Sequence, residues 1–257
     1  MAVDSNGYIT LPKYKEIQPE YSGVVEEVIT KLTSNFPDLV HSLYVYGSVA
    51  TGRARLEKSD LDLTVIFNSE PNQITTDKLL VIHSELEKNN PIVSKIDFDC
   101  GALPQVLDPK SLFSWGYWLK HHCVCVYGEN LSLKFSPFKP SKAIAIAVNG
   151  DFLQILEKLT AQMLKAQDAK EQILLQRAIA RKIIRSTNIL RSDEDNDWPE
   201  TLLEYRSRFN SRYPSLTAEM DYFLEISSEP QGNIAEFIKR VKSFSFWLNT
   251  EFHTQID

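Results

Sequence analysis

The sequence predicts an α+β N-terminal domain, with a mixed, partly antiparallel sheet and flanking helices, followed by an all-α helical bundle. Strand-like apolar runs occur in the first half of the chain, whereas after residue 140 only helical spacing of apolar residues remains. Between the halves, Pro137 and Pro140 interrupt the pattern. We therefore predict one domain over residues 1–135 and a second over residues 141–257.

The individual elements follow from the apolar periods in chain order. In the first half, apolar residues at helical spacing predict helices over residues 21–36 and 75–86. Runs rich in β-branched and aromatic residues predict strands near residues 42–46, 61–67, 93–99 and 123–127. In the second half, helical spacing predicts helices over residues 144–164, 170–190, 198–209, 216–226 and 234–252.

The first predicted strand runs directly into a Gly-Ser pair. Gly47 has no Cβ, so backbone N–H groups in this turn can approach a phosphate closely. The Ser48 hydroxyl can donate a further hydrogen bond to a phosphate oxygen. We expect Gly47 and Ser48 to form a phosphate cradle. Arg53, in the loop that follows, is a candidate for another phosphate contact, and a solvated loop charge is its alternative interpretation.

Two aspartates begin the second predicted strand. Asp60 and Asp62 share one face of it because side chains alternate along a strand. Carboxylates this close repel, and a hard divalent cation with oxygen ligands offsets their charge best. A third carboxylate is expected from the next strand. We favour Asp97, which lies deeper in the apolar run, with Asp99 as second choice or as an outer partner.

Together these motifs indicate a metal-dependent nucleotidyl transfer site. Two Mg²⁺ ions would stabilise the in-line attack of a hydroxyl on the α-phosphorus of a nucleoside triphosphate, with pyrophosphate leaving. Gly-Ser alone is a common turn, and Asp-x-Asp alone can be a solvated strand edge. The attacking hydroxyl also needs a base. Asp97 is one candidate, and the alternatives are Glu129, Glu157 and the acidic group Asp193, Glu194, Asp195 and Asp197.

The Gly-Ser pair, the loop after it and the strand-borne Asp-x-Asp resemble the DNA polymerase β-like nucleotidyltransferase superfamily. The added helical domain resembles the layout of the aminoglycoside nucleotidyltransferases, the streptomycin/spectinomycin adenylyltransferase group among them. Looser matches are Val126-Tyr127-Gly128, Ala180-Arg181 and Asp197-Trp198-Pro199. The resemblance implies an adenylyltransferase-like enzyme. Its co-substrate would be ATP or another nucleoside triphosphate, and its acceptor a small hydroxylated molecule such as an aminoglycoside-like antibiotic.

A stripe of arginines lies on the predicted helix over residues 170–190. Arg177, Arg181 and Arg185 are spaced at i, i+4 and i+8, which places them on one helix face. In two-domain members of the superfamily the nucleotide lies between the halves. We therefore expect Arg181 and Arg185, which have apolar neighbours, to contact its phosphates. A solvated helix face is the alternative.

Composition narrows the class of partner. The chain has 34 acidic and 28 basic residues and a net charge of −6, which argues against a long nucleic-acid track. Its three cysteines suit a reducing compartment. No apolar run approaches the roughly 18 residues that span a bilayer, so we expect a cytoplasmic protein without a membrane partner. The run over residues 121–125 is interpreted as a helix end running into a strand rather than as a zinc site.

Two alternatives to a small-molecule nucleotidyltransferase remain open at this point. One is a protein AMP-transferring enzyme that resembles the nucleotidyltransferase partner of toxin–antitoxin pairs. Such partners are often little more than the catalytic half, whereas this chain has an additional helical half. The other is a nucleotide-binding regulator without catalysis, which the presence of all the expected carboxylates disfavours.

Overall fold

The computed structural model describes residues 2–11 and 17–255. Contacts between Cα atoms divide them into two compact units. One unit comprises residues 10–138, and the other comprises residues 2–9 together with residues 139–255. The first residues of the chain thus group with the helical half. The domain bounds 1–135 and 141–257 stay a prediction.

The first unit contains a four-stranded sheet with the order β3-β2-β1-β4. The pairing of β1 with both β2 and β4 is antiparallel, and that of β2 with β3 is parallel, which confirms the mixed sheet. The third strand begins three residues later than predicted because Val93 is buried in the preceding turn and extends the apolar pattern. The strands are β1 (Val40–Tyr46), β2 (Leu61–Phe67), β3 (Ile96–Ala102) and β4 (Val124–Gly128).

Helices of the first unit cover one face of this sheet. Leu32 and Leu86, from its two long helices, share a buried cluster with Leu61, Leu63 and Val65 of β2. These odd-numbered residues of β2 point to that face because side chains alternate along a strand. The helices of this unit are α1 (Pro19–Asn35), α2 (Gly47–Ala50), α3 (Gln73–Asn89), α4 (Leu103–Val106) and α5 (Tyr117–His121).

The opposite face of the sheet is covered in part by the segment from α4 to residue 135. Tyr44 and Ile66 of the sheet pack there against Val106 and Leu119. The end of α5 at His121 leads into β4 at Val124, which confirms a helix end running into a strand. On this same face lie the even-numbered residues of β2, with Asp62 at its beginning.

The second unit is a helical bundle, as predicted. Its buried core includes Met163, Ile183, Phe223 and Phe237, each fully shielded from solvent. Residues 129–255 contain no strand of the sheet. No helix among the described residues combines the length and apolar character that crossing a membrane requires. The helices are α6 (Lys142–Asn149), α7 (Phe152–Lys165), α8 (Ala169–Ser186), α9 (Leu202–Arg212), α10 (Thr217–Ser228) and α11 (Ile234–Thr254).

Two helix predictions in this unit are corrected by the structure. The single helix predicted over residues 144–164 is wrong, because α6 ends at Asn149 and a new helix, α7, begins at Phe152. Gly150 lies at the break, and glycine is a poor helix former. The helix predicted from residue 198 begins instead at Leu202, because Thr201 and Glu204 form a reciprocal capping box that fixes the start.

Candidate active site

Three of the predicted carboxylates lie on one face of the sheet, and the remaining one, Asp60, directly precedes β2. Asp62 of β2 lies opposite Tyr46 of β1 on one side and opposite Asp97 of β3 on the other. Asp99 lies opposite Thr64, one step further along the same face. Directly paired residues point to the same side of a sheet, so the side chains of Asp62, Asp97 and Asp99 share that side. The register between β2 and β3 thus places these three carboxylates on the same side of the sheet.

The turn after β1 requires glycine at position 47. Gly47 has a φ of +72°, a conformation that side chains disfavour. A Cβ built there would also overlap the Oδ2 atom of Asp62. The backbone of this turn therefore lies directly against the carboxylate. The neighbouring Ser48 is half-buried, and its hydroxyl has no hydrogen-bond partner among residues 2–11 and 17–255.

Asp62 lies near three other aspartates. Burial, and then the charges of Asp60, Asp97 and Asp99, raise the pKa of Asp62 to about 7, while the charge of Lys95 acts in the opposite direction. At neutral pH this carboxyl is therefore partly protonated. Positive charge brought to this place would favour its ionised form.

The segment ahead of β3 supplies partners for two of these carboxylates. The Ser94 hydroxyl donates a hydrogen bond to Asp60. The Lys95 Nζ lies 2.5 Å from Oδ1 of Asp97. Burial lowers the pKa of Lys95, but Asp97, followed by Asp60 and Glu87, outweighs it, so the net pKa is raised. Sequence reasoning missed both partners, although the i, i+2 spacing of Lys95 and Asp97 at a strand start could have indicated the pair.

A tyrosine engages the fourth carboxylate. The Tyr46 hydroxyl donates to Oδ2 of Asp99 at 2.6 Å. The Tyr46 ring packs edge-on against Trp118, with 4.8 Å between ring centroids. Trp118 in turn donates from Nε1 to the Thr64 hydroxyl at 3.1 Å. Sequence reasoning missed Tyr46 as well, because its role depends on the register between β1, β2 and β3.

The donor chemistry of this group fits a hard divalent cation. The side-chain atoms are carboxylate oxygens, the donors that Mg²⁺ prefers. The pKa of Asp62 is raised first by burial and then by repulsion from the neighbouring carboxylates, and a bound cation would relieve that repulsion. In the described part of the chain no three His, Cys, Asp or Glu side chains already converge as a ligand set. Ser94, Lys95 and Tyr46 contact Asp60, Asp97 and Asp99 respectively.

The structure places the predicted cationic residues in two different units. Arg53 is exposed in the loop after α2, and its Nε donates to the Thr51 hydroxyl at 3.2 Å. Arg181 and Arg185 are exposed on α8 of the helical unit. Their helical stripe is confirmed. Their contact with phosphate stays a prediction.

Part of the acidic group in the helical unit has a structural explanation. Asp195 pairs with Arg208 and also with Arg212, whose Nη2 lies 3.1 Å away. Asp197 pairs with Arg208 at 2.6 Å. These pairs join the loop before α9 to α9 itself. Both carboxylates thus have cationic partners within the helical unit, and their role as bases stays a prediction.

Comparison with known proteins agrees with this geometry. Residues 25–100 match the family model of the nucleotidyltransferase domain, a range that contains Gly47, Asp62 and Asp97. Among solved structures, the chain is similar to spectinomycin adenyltransferase AAD(9) from Enterococcus faecialis, solved with ATP and spectinomycin. That similarity has 14% sequence identity and a TM-score of 0.51, and it covers 90% of this chain and 98% of the other. No curated protein matches the chain.

Proposed function

We propose that the protein is a nucleotidyltransferase of the DNA polymerase β-like superfamily, because residues 25–100 match the nucleotidyltransferase domain and the fold is similar to that of spectinomycin adenyltransferase AAD(9). It transfers a nucleoside monophosphate, AMP from ATP in the first instance, to a hydroxyl of a small acceptor and releases pyrophosphate. Aminoglycoside-like antibiotics are the first acceptor class to test.

One observation carries the proposal: Asp62 and Asp97 lie in register on one face of the sheet, directly beside the glycine turn at Gly47. A phosphate held by that turn would lie next to both carboxylates. The choice of ATP and of a hydroxylated acceptor is motivated by AAD(9), which was solved with ATP and spectinomycin.

Each residue of the group has a proposed role. Asp60, Asp62 and Asp97 would hold Mg²⁺, with Asp99 beside them. When bound, the metal offsets the negative charge of the triphosphate and of the attacking and leaving oxygens. Gly47 and Ser48 bind phosphate oxygens through the backbone and the hydroxyl. Further cationic contacts to the phosphates are proposed for Arg53, Arg181 and Arg185.

The transfer step replaces one bond between phosphorus and oxygen by another. The acceptor oxygen forms a bond to the α-phosphorus while the bond between that phosphorus and the α–β bridging oxygen breaks. The bridging oxygen leaves with the electron pair as part of pyrophosphate. The proton of the acceptor hydroxyl passes to a carboxylate oxygen of Asp97, the base that lies within the group.

Calorimetric titration with ATP tests the site first. ATP is titrated with and without Mg²⁺ into the wild-type protein, the double variant Asp60→Ala/Asp62→Ala, and the control Glu70→Ala/Asp77→Ala. The control removes the same charge at exposed positions. We expect Mg²⁺-dependent ATP binding in the wild type and the control, and its loss in the Asp60→Ala/Asp62→Ala variant. Equal binding by all three proteins would contradict the assignment.

Pyrophosphate release then identifies the acceptor. Spectinomycin, other aminoglycosides and simple polyols are incubated with ATP and Mg²⁺, and release above the acceptor-free rate is the expected result. A labelled protein band after incubation of a lysate with labelled ATP would redirect the proposal to a protein acceptor. ATP binding without turnover across the whole panel would indicate a regulator.

A further inference from the structure

Lys95 contacts the third carboxylate of the group from the residue that precedes β3. Its Nζ lies 2.5 Å from Oδ1 of Asp97, and the two side chains are 50% and 39% exposed. The aliphatic stem of a lysine is flexible, and its ammonium is a compact point charge. At this place the ammonium has room to leave Asp97 without any change in the backbone.

This ion pair opposes the binding of a metal at Asp97. A divalent cation that binds Asp97 must displace the ammonium of Lys95. While the ammonium remains nearby, it repels the cation. Half-exposed ion pairs are weak, typically within about 1 kcal/mol. The ammonium of Lys95 therefore competes with a metal for Asp97, and an anion that binds lysine more strongly can displace it from this carboxylate.

A bound triphosphate is such an anion. It would lie against Gly47, whose turn borders Asp62, and Asp62 lies opposite Asp97. Phosphate oxygens form charge-assisted hydrogen bonds with lysine as readily as a carboxylate does. An ammonium that moves from Asp97 to a phosphate leaves the third carboxylate free.

We propose that Lys95 is a positioning residue that couples metal binding to nucleotide binding. Without nucleotide it pairs with Asp97 and weakens the metal site, and with nucleotide it pairs with a phosphate and leaves Asp97 to the metal. The inference rests on the proposed function, since it takes Asp97 as a metal ligand and a triphosphate as the substrate. Its consequence is that the metal binds more tightly together with nucleotide than alone.

Calorimetric titration of the protein with Mn²⁺ tests this role without a need for turnover. The wild type and Lys95→Met are titrated alone and in the presence of a non-hydrolysable ATP analogue. We expect Lys95→Met to bind Mn²⁺ alone up to about fivefold more tightly, since the competing charge is gone. The gain in Mn²⁺ affinity that the analogue produces should shrink by a similar factor.

Matched variants separate this effect from a general change of charge. Lys88→Met removes an exposed lysine of α3 and should leave Mn²⁺ affinity unchanged. Lys95→Arg keeps the charge and should behave as the wild type. In the Asp97→Asn background the Lys95→Met change should have no further effect, because the two residues act as one pair.

The outcomes distinguish this inference from the proposed function. If the wild type binds Mn²⁺ and Lys95→Met binds it equally or more weakly, the role of Lys95 is overturned while the metal site stands. If neither the wild type nor any variant binds Mn²⁺, the metal site of the proposed function is overturned, and the role of Lys95 with it.

Discussion

Gly47 and Asp62 occupy one small volume at the ends of β1 and β2: a Cβ at position 47 would overlap Oδ2 of Asp62. The two residues are 15 positions apart in the chain, and the antiparallel pairing of Tyr46 with Asp62 brings them together. The contact joins the proposed phosphate turn to the proposed metal ligand, so a change at either residue acts on both.

The first prediction concerns Gly47→Ala. The variant should lose about 1–3 kcal/mol more free energy of unfolding than Gly232→Ala, because only position 47 adds an overlap with a neighbouring group. Gly232 has a φ of +86° but open space around it, so it controls for backbone strain alone. Urea unfolding of both variants gives the comparison. Equal losses would mean that Asp62 moves aside without cost.

The second prediction concerns the pH dependence of stability. The pKa of Asp62 is raised in the folded protein from 3.8 to about 7, so the folded state binds a proton that the unfolded state has lost. The contribution of Asp62 to stability is therefore fully present below the unfolded pKa and is lost as pH rises through the folded pKa.

Urea unfolding between pH 4 and pH 8, with a chelator present, measures this dependence. Asp62→Asn should flatten the fall in the free energy of unfolding, whereas Asp77→Asn, at an exposed position of α3, should not. A wild-type stability that rises across this range, with no difference from Asp62→Asn, would contradict the prediction.

The third prediction concerns the hydrogen bond from Tyr46 to Asp99. Tyr46→Phe keeps the ring contact with Trp118 and removes only the hydroxyl, so it should cost about 1 kcal/mol of unfolding free energy. In combination with Asp99→Ala, which removes the acceptor, the two losses should not add, because both variants remove the same bond. A double-mutant cycle from urea unfolding measures this coupling, and additive losses would show that the bond contributes nothing.

The fourth prediction separates the structural aspartates of the helical unit from catalysis. Arg208→Met should destabilise the protein by about 1–3 kcal/mol, because it removes a charged partner from the half-buried Asp195 and Asp197. Arg206→Met, on the same helix, removes a more exposed pair with Asp221 and should cost clearly less. Thermal or urea unfolding gives both values, and similar small losses would contradict a structural role for Asp195.

Much of the first unit could be predicted from the sequence because its signals are local. The apolar runs predicted the positions of β1 and β2, and the period of two predicted a shared face for Asp60 and Asp62, of which only Asp62 lies within β2. Asp97, preferred to Asp99 as the third metal ligand, is the direct partner of Asp62 in the register. Its role as a metal ligand stays a prediction.

Other features depend on contacts that no local pattern records. The pairings of Lys95 with Asp97 and of Tyr46 with Asp99 follow from rotamers and strand register, which become fixed only when the sheet forms. The break at Gly150 was missed because apolar residues continue at helical spacing on both sides of it. The phosphate contacts proposed for the α8 arginines depend on a ligand, and neither helix period nor charge can decide them.

The alternation of side chains along β2 has a consequence for how this gene tolerates change. Leu61, Leu63 and Val65 face the core beneath α1 and α3, whereas Asp62 faces the acidic group. Neighbouring residues of β2 are therefore under different constraints. Substitutions at 61, 63 or 65 should lower the amount of folded protein that a cell accumulates. Substitutions at 62 should change the proposed activity of each molecule, so a library that scores both abundance and activity would show the two effects alternating along β2.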